Sequence, residues 1–226
     1  MNSVAAPGES KAAADWRPLH GILFTGLLVL GTLVPFFRSW PWLWAGPLLV
    51  YAGVVAICPP LKASFRGWKF GNPKPVDWAL TAFVAVGSCS ALAAFQYWVK
   101  PDLHYFAIAL PGQSLSGLIL AGIGFSVVNA LLEEIVFRGV IFDAVESQWG
   151  AWVAVIVTAA FFGYGHLRGY PPGPLGAWMA GVYGLFLGWI RVRTGGLGLP
   201  VLAHVLADAT IFTHVASSGV WGSVRG

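Results

Sequence analysis

The chain has 226 residues, of which 57% are hydrophobic and only 10% are charged, and its net charge is +4. Soluble domains carry about 25% charged residues, so this composition excludes a disordered chain and argues against an ordinary water-soluble domain. The basic residues form no block, so nucleic acid is not an expected partner. The composition predicts a protein whose solvent is the lipid bilayer.

Apolar runs dominate the chain from residue 19 onward. A cleaved signal peptide would show its apolar core earlier, so we expect the run that begins at Leu19 to be retained as a membrane span. A helix needs about 20 residues to cross the ~30 Å hydrocarbon core. Runs of that kind recur seven times, over residues 19–37, 40–58, 78–99, 114–132, 149–167, 174–190 and 194–216. We therefore predict an all-α transmembrane bundle of about seven spans.

The predicted spans divide into two parts. Residues 19–113 hold the first three spans and no chemical motif, whereas residues 114–216 hold the last four spans and the ionisable groups discussed next. Polar tails at 1–18 and 217–226 flank these parts. The apolar piece at 105–110 is too short to span and is expected to be re-entrant or interfacial.

The distribution of Lys and Arg predicts the orientation, because these residues favour cytoplasmic loops. With the amino terminus in the cytoplasm, eight of them lie on the inner side and four on the outer side. Arg138 is left aside because it lies within a helix, and the densest basic loop is 61–74. We predict a cytoplasmic amino terminus and an external carboxyl terminus.

A few charged residues lie within or against the apolar runs, where ionisable groups are costly and usually face a bundle interior or a wet cavity. They are Glu133, Glu134, Arg138 and Asp208. Glu134 and Arg138 are four residues apart, which predicts an ion pair on one helix face. Adjacent side chains on a regular helix point about 100° apart, so Glu133 and Glu134 are not expected to face inward together. Glu133 instead shares a face with Asn129.

Two histidines lie at comparable depth in other spans. An antiparallel hairpin that turns near Gln148 would bring His166 to the depth of Glu134. In the last span, His204 and Asp208 are four residues apart and share one face. We predict that acidic and imidazole groups from three spans gather around one cavity. The alternative is a purely structural role, in which the cluster holds helices together.

Three segments carry a resemblance to a known family: Glu133-Glu134-Ile-Val-Phe-Arg138-Gly139, Phe162-x-x-x-His166 and His204-x-x-x-Asp208. In this order they resemble the signature of the CPBP intramembrane proteases. These include the CAAX prenyl endopeptidases of the Rce1 type and bacterial relatives linked to bacteriocin self-immunity and lysostaphin resistance. The resemblance covers about half the chain. It implies a membrane-embedded endopeptidase, in a bacterial inner membrane, that cleaves a membrane-associated protein or peptide.

The resemblance also implies roles for individual residues. Glu133 would act as general base on a water that His166 helps to hold, while His204 and Asp208 would stabilise the oxyanion. An ionised carboxylate cannot donate a hydrogen bond, so Asp208 is either protonated or serves to orient His204. We favour the orienting role, because a carboxylate partner fixes the tautomer of an imidazole.

The remaining residues of the cluster are expected to shape the site. The resemblance implies that Glu134 and Arg138 form a structural pair, and Asn129 either supports the site or packs the helices. Two rival functions stay open from the sequence. One is a non-catalytic immunity or scaffold protein, and the other is a transporter whose buried Glu and His residues relay protons.

A zinc ion is the cofactor that the residue types allow, because Glu and His bind zinc and three protein ligands plus a water make a catalytic site. The ligands would then be Glu133, His166 and His204. The chain has no His-Glu-x-x-His segment. We therefore favour a metal-free mechanism with no cofactor.

Overall fold

The structure is a computed structural model that describes residues 15–65, 68–103 and 114–217. The described residues form helices and their connections, without strands, which confirms the all-α prediction. Most of the predicted polar tails and the piece at 105–110 lie outside the described residues. The α-helices are α1 (Arg17–Thr32), α2 (Trp42–Ile57), α3 (Pro59–Ser64), α4 (Pro75–Val99), α5 (Leu115–Glu134), α6 (Phe142–Trp149), α7 (Ala151–Gly165), α8 (Gly173–Thr194) and α9 (Gly198–Ser217).

Four helical elements of the described part are long and apolar enough to cross a membrane, so the chain is an integral membrane protein. They are α4, the continuous element Leu115–Trp149, α8 and α9. The apolar helices α2 and α7 are shorter, and the number of seven spans stays a prediction. Helices α1 and α2 stop short of the predicted bounds because Pro35 and Pro41, which lack a backbone N–H, lie between them.

Helix ends coincide with residues suited to them. The Ser114 hydroxyl accepts a hydrogen bond from the backbone N–H of Gly117 at 3.1 Å and caps α5. Pro75 begins α4, where its missing N–H costs no helical hydrogen bond. Gly195 ends α8 in the left-handed region at φ +67°, which glycine adopts without strain. These caps fix where the long helices begin and end.

The fourth predicted span continues as a helix well past its apolar run. After α5 the chain winds as a π-helix over Ile135–Ile141 and then continues into α6. Gly150, at φ +83°, separates α6 from α7, two residues beyond the turn expected at Gln148. π-Helical turns are rare and occur frequently at functional sites. Here the π-helix follows directly after the adjacent glutamates.

The carboxyl-terminal helices pack around α9. Helix α9 packs against α5 and also against α4, while α7 packs closely along α8. Small residues permit the last contact, since a Cβ added at Gly184 would lie 3.1 Å from the Cα of Ala159. The result is a bundle in which α9 packs on α4, α5 and α8, while α7 packs on α6, α8 and the π-helix.

The amino-terminal helices pack against α6 and the π-helix. His20 joins three of them, because its Nδ1 lies 2.6 Å from the Tyr51 hydroxyl and its Nε2 lies 3.0 Å from the Ser64 hydroxyl. Near the start of α2, the Trp44 ring packs edge-on against Phe137 of the π-helix. These helices therefore support the segment that carries the glutamates.

Ion pairs tie the helix ends together at one end of the bundle. Arg193 Nε lies 2.7 Å from Asp77 Oδ1, and Arg191 Nη2 lies 3.1 Å from Asp143 Oδ1. The backbone N–H of Leu197 donates to the carbonyl of Lys69 at the same end. Lys69, Arg191 and Arg193, which are among the eight basic residues on the predicted cytoplasmic side, thus lie at the same end of the bundle.

Candidate active site

The adjacent glutamates at the end of α5 both reach the same histidine. Both carboxyl groups are buried. His204 Nδ1 lies 2.8 Å from Glu134 Oε1, and His204 Nε2 lies 3.6 Å from Glu133 Oε2. The expectation that the two glutamates do not face inward together is wrong. The imidazole of His204 lies between the two carboxyl groups and presents one ring nitrogen to each.

Glu134 forms the predicted ion pair with Arg138, with Nη1 of the arginine 2.9 Å from Oε1 of the glutamate and both side chains fully buried. Arg138 also donates from Nη2 to the carbonyl of Gly184 at 3.2 Å. Its guanidinium carbon lies 4.6 Å from the centre of the Phe162 ring. Arg138 thereby links the π-helix to α7 and α8.

The hydrogen bond that orients His204 is donated by its Nδ1 to Glu134 Oε1, and none is made to Asp208. Asp208 Oδ1 lies 3.8 Å from His204 Nε2, which is too long for a hydrogen bond. The four-residue spacing on α9 does place the two side chains next to each other. The Asp208 carboxyl group is turned toward α5, where Asn129 provides a donor. Asp208 therefore makes no direct hydrogen bond to His204, and an orienting role for it stays a prediction.

Asn129 connects Asp208 to a residue of the amino-terminal region. Its Nδ2 donates to Asp208 Oδ2 at 3.2 Å, and its Oδ1 accepts from the indole Nε1 of Trp40 at 2.9 Å. Trp40 lies between α1 and α2, and none of the sequence motifs includes it. No spacing rule links a tryptophan in this connection to a residue of α5, so the sequence carried no signal for it.

His166 follows directly after α7 at the edge of the cluster. Its Nδ1 lies 2.8 Å from the carbonyl oxygen of Phe162, which leaves Nε2 as the nitrogen for other contacts. The Phe162 ring lies between the two histidines, with centroid distances of 4.5 Å to His166 and 5.6 Å to His204. The predicted meeting of groups from α5, α7 and α9 is therefore present, with Phe162 between its two imidazoles, although neither Glu133 nor Glu134 lines the cavity beside the histidines.

A cavity of about 250 Å³ lies between α4, α8 and α9. The imidazole and carboxyl groups in its wall belong to His166, His204 and Asp208. The rest of the wall is mostly apolar or aromatic and includes Phe83, Leu92, Trp178, Tyr183, Phe186 and Ile211. Phe83 and Trp178 are also exposed on the outer surface, so the cavity reaches the lipid-facing side between α4 and α8. An apolar cavity with a few convergent polar groups is the usual form of a ligand site.

The part of the chain that carries these groups is similar to a known protein family. Residues 114–210 match the sequence model of the family described as Type II CAAX prenyl endopeptidase Rce1-like. The resemblance to this family is confirmed. The chain is also similar to an Escherichia coli protein described as "Uncharacterized 24.3 kDa protein", with 29% identity over 113 residues that cover 45% of this chain and 51% of that protein. The chain thus spans about half the length of this relative, and no solved structure matches the chain.

Residues 114–210 form the Rce1-like segment, which contains every residue that the sequence predicts to lie in the site. Asp208 is the last of them and lies two residues before the end of the segment at 210. Parts of the site lie outside the segment, namely Trp40, the α4 wall of the cavity and Ile211 of α9. The amino-terminal helices carry no motif, yet they contribute to the site of the Rce1-like segment.

The described residues do not fit the zinc ligand set that the residue types would allow, namely Glu133, His166 and His204. Among them, no three or more His, Cys, Asp or Glu side chains are grouped so that they could hold a metal ion. Glu133 and His204 are neighbours, but Phe162 lies between His204 and His166. The Nδ1 atoms of both histidines already face oxygen partners. We derive no chemical step through a metal.

Proposed function

We propose that the chain is an intramembrane endopeptidase that hydrolyses a peptide bond of a membrane-associated protein or peptide, with Glu133 as the general base. The observation that carries this proposal is the position of one oxygen atom. Glu133 Oε2 is buried, accepts no hydrogen bond from the described residues and faces His204 Nε2 at 3.6 Å. Buried carboxylate oxygens normally have a partner, so this oxygen is available to bind and deprotonate a water. Oε2 of Glu134 also lacks a partner among the described residues, so the choice between the two glutamates rests on their other contacts.

The partners of the two glutamates decide which one is the base. Glu134 Oε1 is held by Arg138 at 2.9 Å and by His204 at 2.8 Å. A carboxylate that is fixed between two donors is poorly placed to accept a proton from water. Glu133 has no such pairing, and it lies beside the same imidazole. We assign Glu134 and Arg138 to shaping the site and Glu133 to the chemistry.

The proposed reaction begins when Glu133 takes a proton from a water that His166 helps to hold. The resulting hydroxide attacks the carbonyl carbon of the peptide bond and forms a tetrahedral intermediate with a negative oxygen. His204 stabilises this oxyanion from Nε2, acting as a donor at both nitrogens, and carboxyl oxygens face both of them. Glu133 then delivers its proton to the leaving amine as the carbon–nitrogen bond breaks. Atoms and charges balance without another reactant.

The cavity suggests what the substrate carries next to the scissile bond. Its wall is mostly apolar, and it reaches the lipid-facing surface between α4 and α8. We propose that an apolar or lipidated segment of the substrate enters there and places the peptide bond at His204. The matched family is described as acting on CAAX prenyl substrates, which are one member of this chemical class.

The position of the basic residues indicates the orientation of the bundle in the membrane. Basic residues lie at the end of the bundle that holds the Asp77–Arg193 ion pair, and such residues favour the cytoplasmic side. We propose that this end faces the cytoplasm of a bacterial cell and that the bundle lies in the inner membrane.

The test compares the membrane proteomes of cells that contain either the wild-type protein or Glu133→Gln. We expect one or more uncut precursors to accumulate, and their fragments to disappear, in the Glu133→Gln cells. Glu146→Gln, the same chemical change in α6, is the matched control and should resemble wild type. Identical precursor and fragment profiles at equal protein levels would contradict the proposal. A scaffold would keep its cellular effect in Glu133→Gln, and a proton-coupled transporter would lose transport without any change in fragments.

A further inference from the structure

Trp40 approaches the site from outside the Rce1-like segment. It lies in the connection before α2, and its ring packs against Phe125 of α5 with 5.3 Å between ring centroids. The indole Nε1 donates to the side-chain oxygen of Asn129 at 2.9 Å. Trp40 is 40% exposed, whereas Asn129 is buried. The indole ring therefore lies at the surface beside α5, while its N–H donates a hydrogen bond to a buried residue.

The side-chain amide of Asn129 is an asymmetric group, with an acceptor on one side and donors on the other. Its amide nitrogen donates to Asp208 Oδ2 at 3.2 Å. A rotation of the amide by half a turn would place its oxygen against the Asp208 carboxyl group and its nitrogen against the indole N–H. Both contacts would then be unfavourable, so the indole N–H selects the orientation that supports Asp208.

We propose that Trp40 is a positioning residue of the active site, which acts through Asn129 to hold Asp208 beside His204. Asp208 Oδ1 lies 3.8 Å from His204 Nε2, the nitrogen assigned to the oxyanion. A turned Asn129 amide would release or repel the Asp208 carboxyl group and change the charge next to that nitrogen. This inference rests on the proposed function, because the oxyanion role of His204 belongs to it.

The variant Trp40→Phe isolates the indole N–H, because phenylalanine keeps an aromatic ring against Phe125. Trp42→Phe is the matched control. Trp42 is 39% exposed, close to the value for Trp40, and its ring packs against Phe36 at 5.2 Å. A neutral hydrogen bond contributes about 1 kcal/mol, so its loss is expected to lower kcat roughly fivefold.

A spectroscopic measurement tests the hydrogen bond without any substrate. Nitrogen-labelled full-length protein in detergent micelles gives indole N–H signals from its 12 tryptophans, and Trp40→Phe identifies the signal of Trp40. We expect this signal to move in Asn129→Ala, which removes the acceptor, while the Trp42 signal stays in place. A Trp40 signal that Asn129→Ala leaves unchanged would overturn the inference. Asn129→Leu, which keeps the volume of the side chain, replaces Asn129→Ala if the smaller variant does not fold.

A kinetic measurement tests the positioning role with the substrate that the Glu133→Gln comparison identifies, with both proteins reconstituted in liposomes. We expect Trp40→Phe to lower kcat about fivefold at unchanged KM, and to have no further effect in the Asn129→Ala background. An equal loss in both backgrounds, or the same loss in Trp42→Phe, would overturn the inference. If Glu133→Gln produces no change in any protein, the proposed function fails, and the spectroscopic measurement still decides whether Trp40 orients Asn129.

Discussion

Glu133 and Glu134 are neighbours in sequence and are both buried, yet their partners give them different chemistry. Glu134 is tied into an ion pair with Arg138 and a hydrogen bond with His204. Glu133 faces the other nitrogen of the same imidazole at the longer distance of 3.6 Å and forms no ion pair with Arg138, while Oε2 of both glutamates lacks a donor among the described residues. The difference between a structural and a reactive carboxyl group therefore comes from the surrounding side chains and not from burial alone.

Leucine substitutions at the two glutamates should separate these roles through stability. Glu134→Leu leaves the Arg138 guanidinium buried without its counter-ion, which should lower the free energy of unfolding by about 3–5 kcal/mol. Glu133→Leu removes only the longer 3.6 Å contact with His204, leaves the Arg138 ion pair in place and should lower it less. Thermal unfolding of both variants in detergent measures the difference. Equal destabilisation would show that Glu134 is no more structural than Glu133.

Replacement of the proposed general base by glutamine should lower the rate of cleavage and not the stability of the protein. Glu133→Gln keeps the size of the side chain but cannot take a proton, and general-base catalysis contributes about 10²–10⁴-fold. We expect a loss of kcat in that range at a nearly unchanged unfolding temperature. Cleavage of the identified precursor in liposomes measures the rate, and wild-type turnover by Glu133→Gln would exclude it as the base.

Asp208 offers a second test at the level of a single residue. We expect Asp208→Asn to reduce cleavage clearly, because the amide removes the negative charge beside His204 Nε2 and places a new amide against Asn129. The variant keeps the shape of the side chain, so the fold should be retained. Unchanged or increased cleavage would instead show that the residue at this position donates directly to the oxyanion.

At the scale of the helical elements, the π-helix and the packing of α7 on α8 position the site. The π-helix starts directly after Glu134 and contains Arg138, whose side chain reaches both neighbouring helices. Helix α7 ends at Gly165, so the position of His166 depends on how closely α7 approaches α8. Gly163 marks that approach, since a Cβ there would lie 2.7 Å from the carbonyl oxygen of Ala177.

Gly163→Ala should therefore disturb the site through the backbone of α8, which cannot move aside as a side chain would. We expect a loss of about 1–3 kcal/mol in the free energy of unfolding, as for other overpacked interiors, together with reduced cleavage. Gly124→Ala in α5 is the control, because a Cβ at Gly124 meets nothing within 4 Å. It should be neutral or stabilising by up to about 1 kcal/mol. Thermal unfolding measures the stability of both variants. A Gly163→Ala protein that is as stable as Gly124→Ala would contradict the close packing of α7 on α8.

Periodicity and spacing predict much of this arrangement. The lengths of the apolar runs predict the long helices, and the spacing of four predicts the Glu134–Arg138 pair. Similar distances from the hairpin turn predict that His166 lies at the depth of Glu134. The sequence does not predict that both glutamates reach His204, because that depends on the angle between α5 and α9. It gives no sign of Trp40 either, whose contact with Asn129 joins residues 89 positions apart.

At the scale of the whole molecule, two regions of the chain build one site. The Rce1-like segment supplies the ionisable groups, and the amino-terminal region supplies Trp40 and the α4 wall of the cavity. The proposed substrate entry lies where these regions meet, between α4 and α8. An apolar substrate segment would reach the polar groups from the lipid without crossing the polar ends of the bundle.

Gly87 of α4 allows a direct test of that entry. It lines the cavity, and a Cβ there meets nothing within 4 Å, so Gly87→Phe should fill the cavity without disturbing the helix packing. Burial of one large apolar side chain contributes about 1.5–3 kcal/mol, so blocking that contact should raise KM roughly ten- to hundredfold. Gly53→Phe in α2, which is equally open and does not line the cavity, is the control. Unchanged kinetics in Gly87→Phe would place the substrate elsewhere.

Cleavage of a precursor by the reconstituted wild-type protein, measured side by side with Glu133→Gln, tests the central claim most directly. We predict that the wild-type protein converts the precursor to two fragments with a newly formed carboxyl terminus, and that Glu133→Gln leaves it intact. Equal conversion by both proteins, or no conversion by the wild type of any protein that accumulates in Glu133→Gln cells, would contradict it.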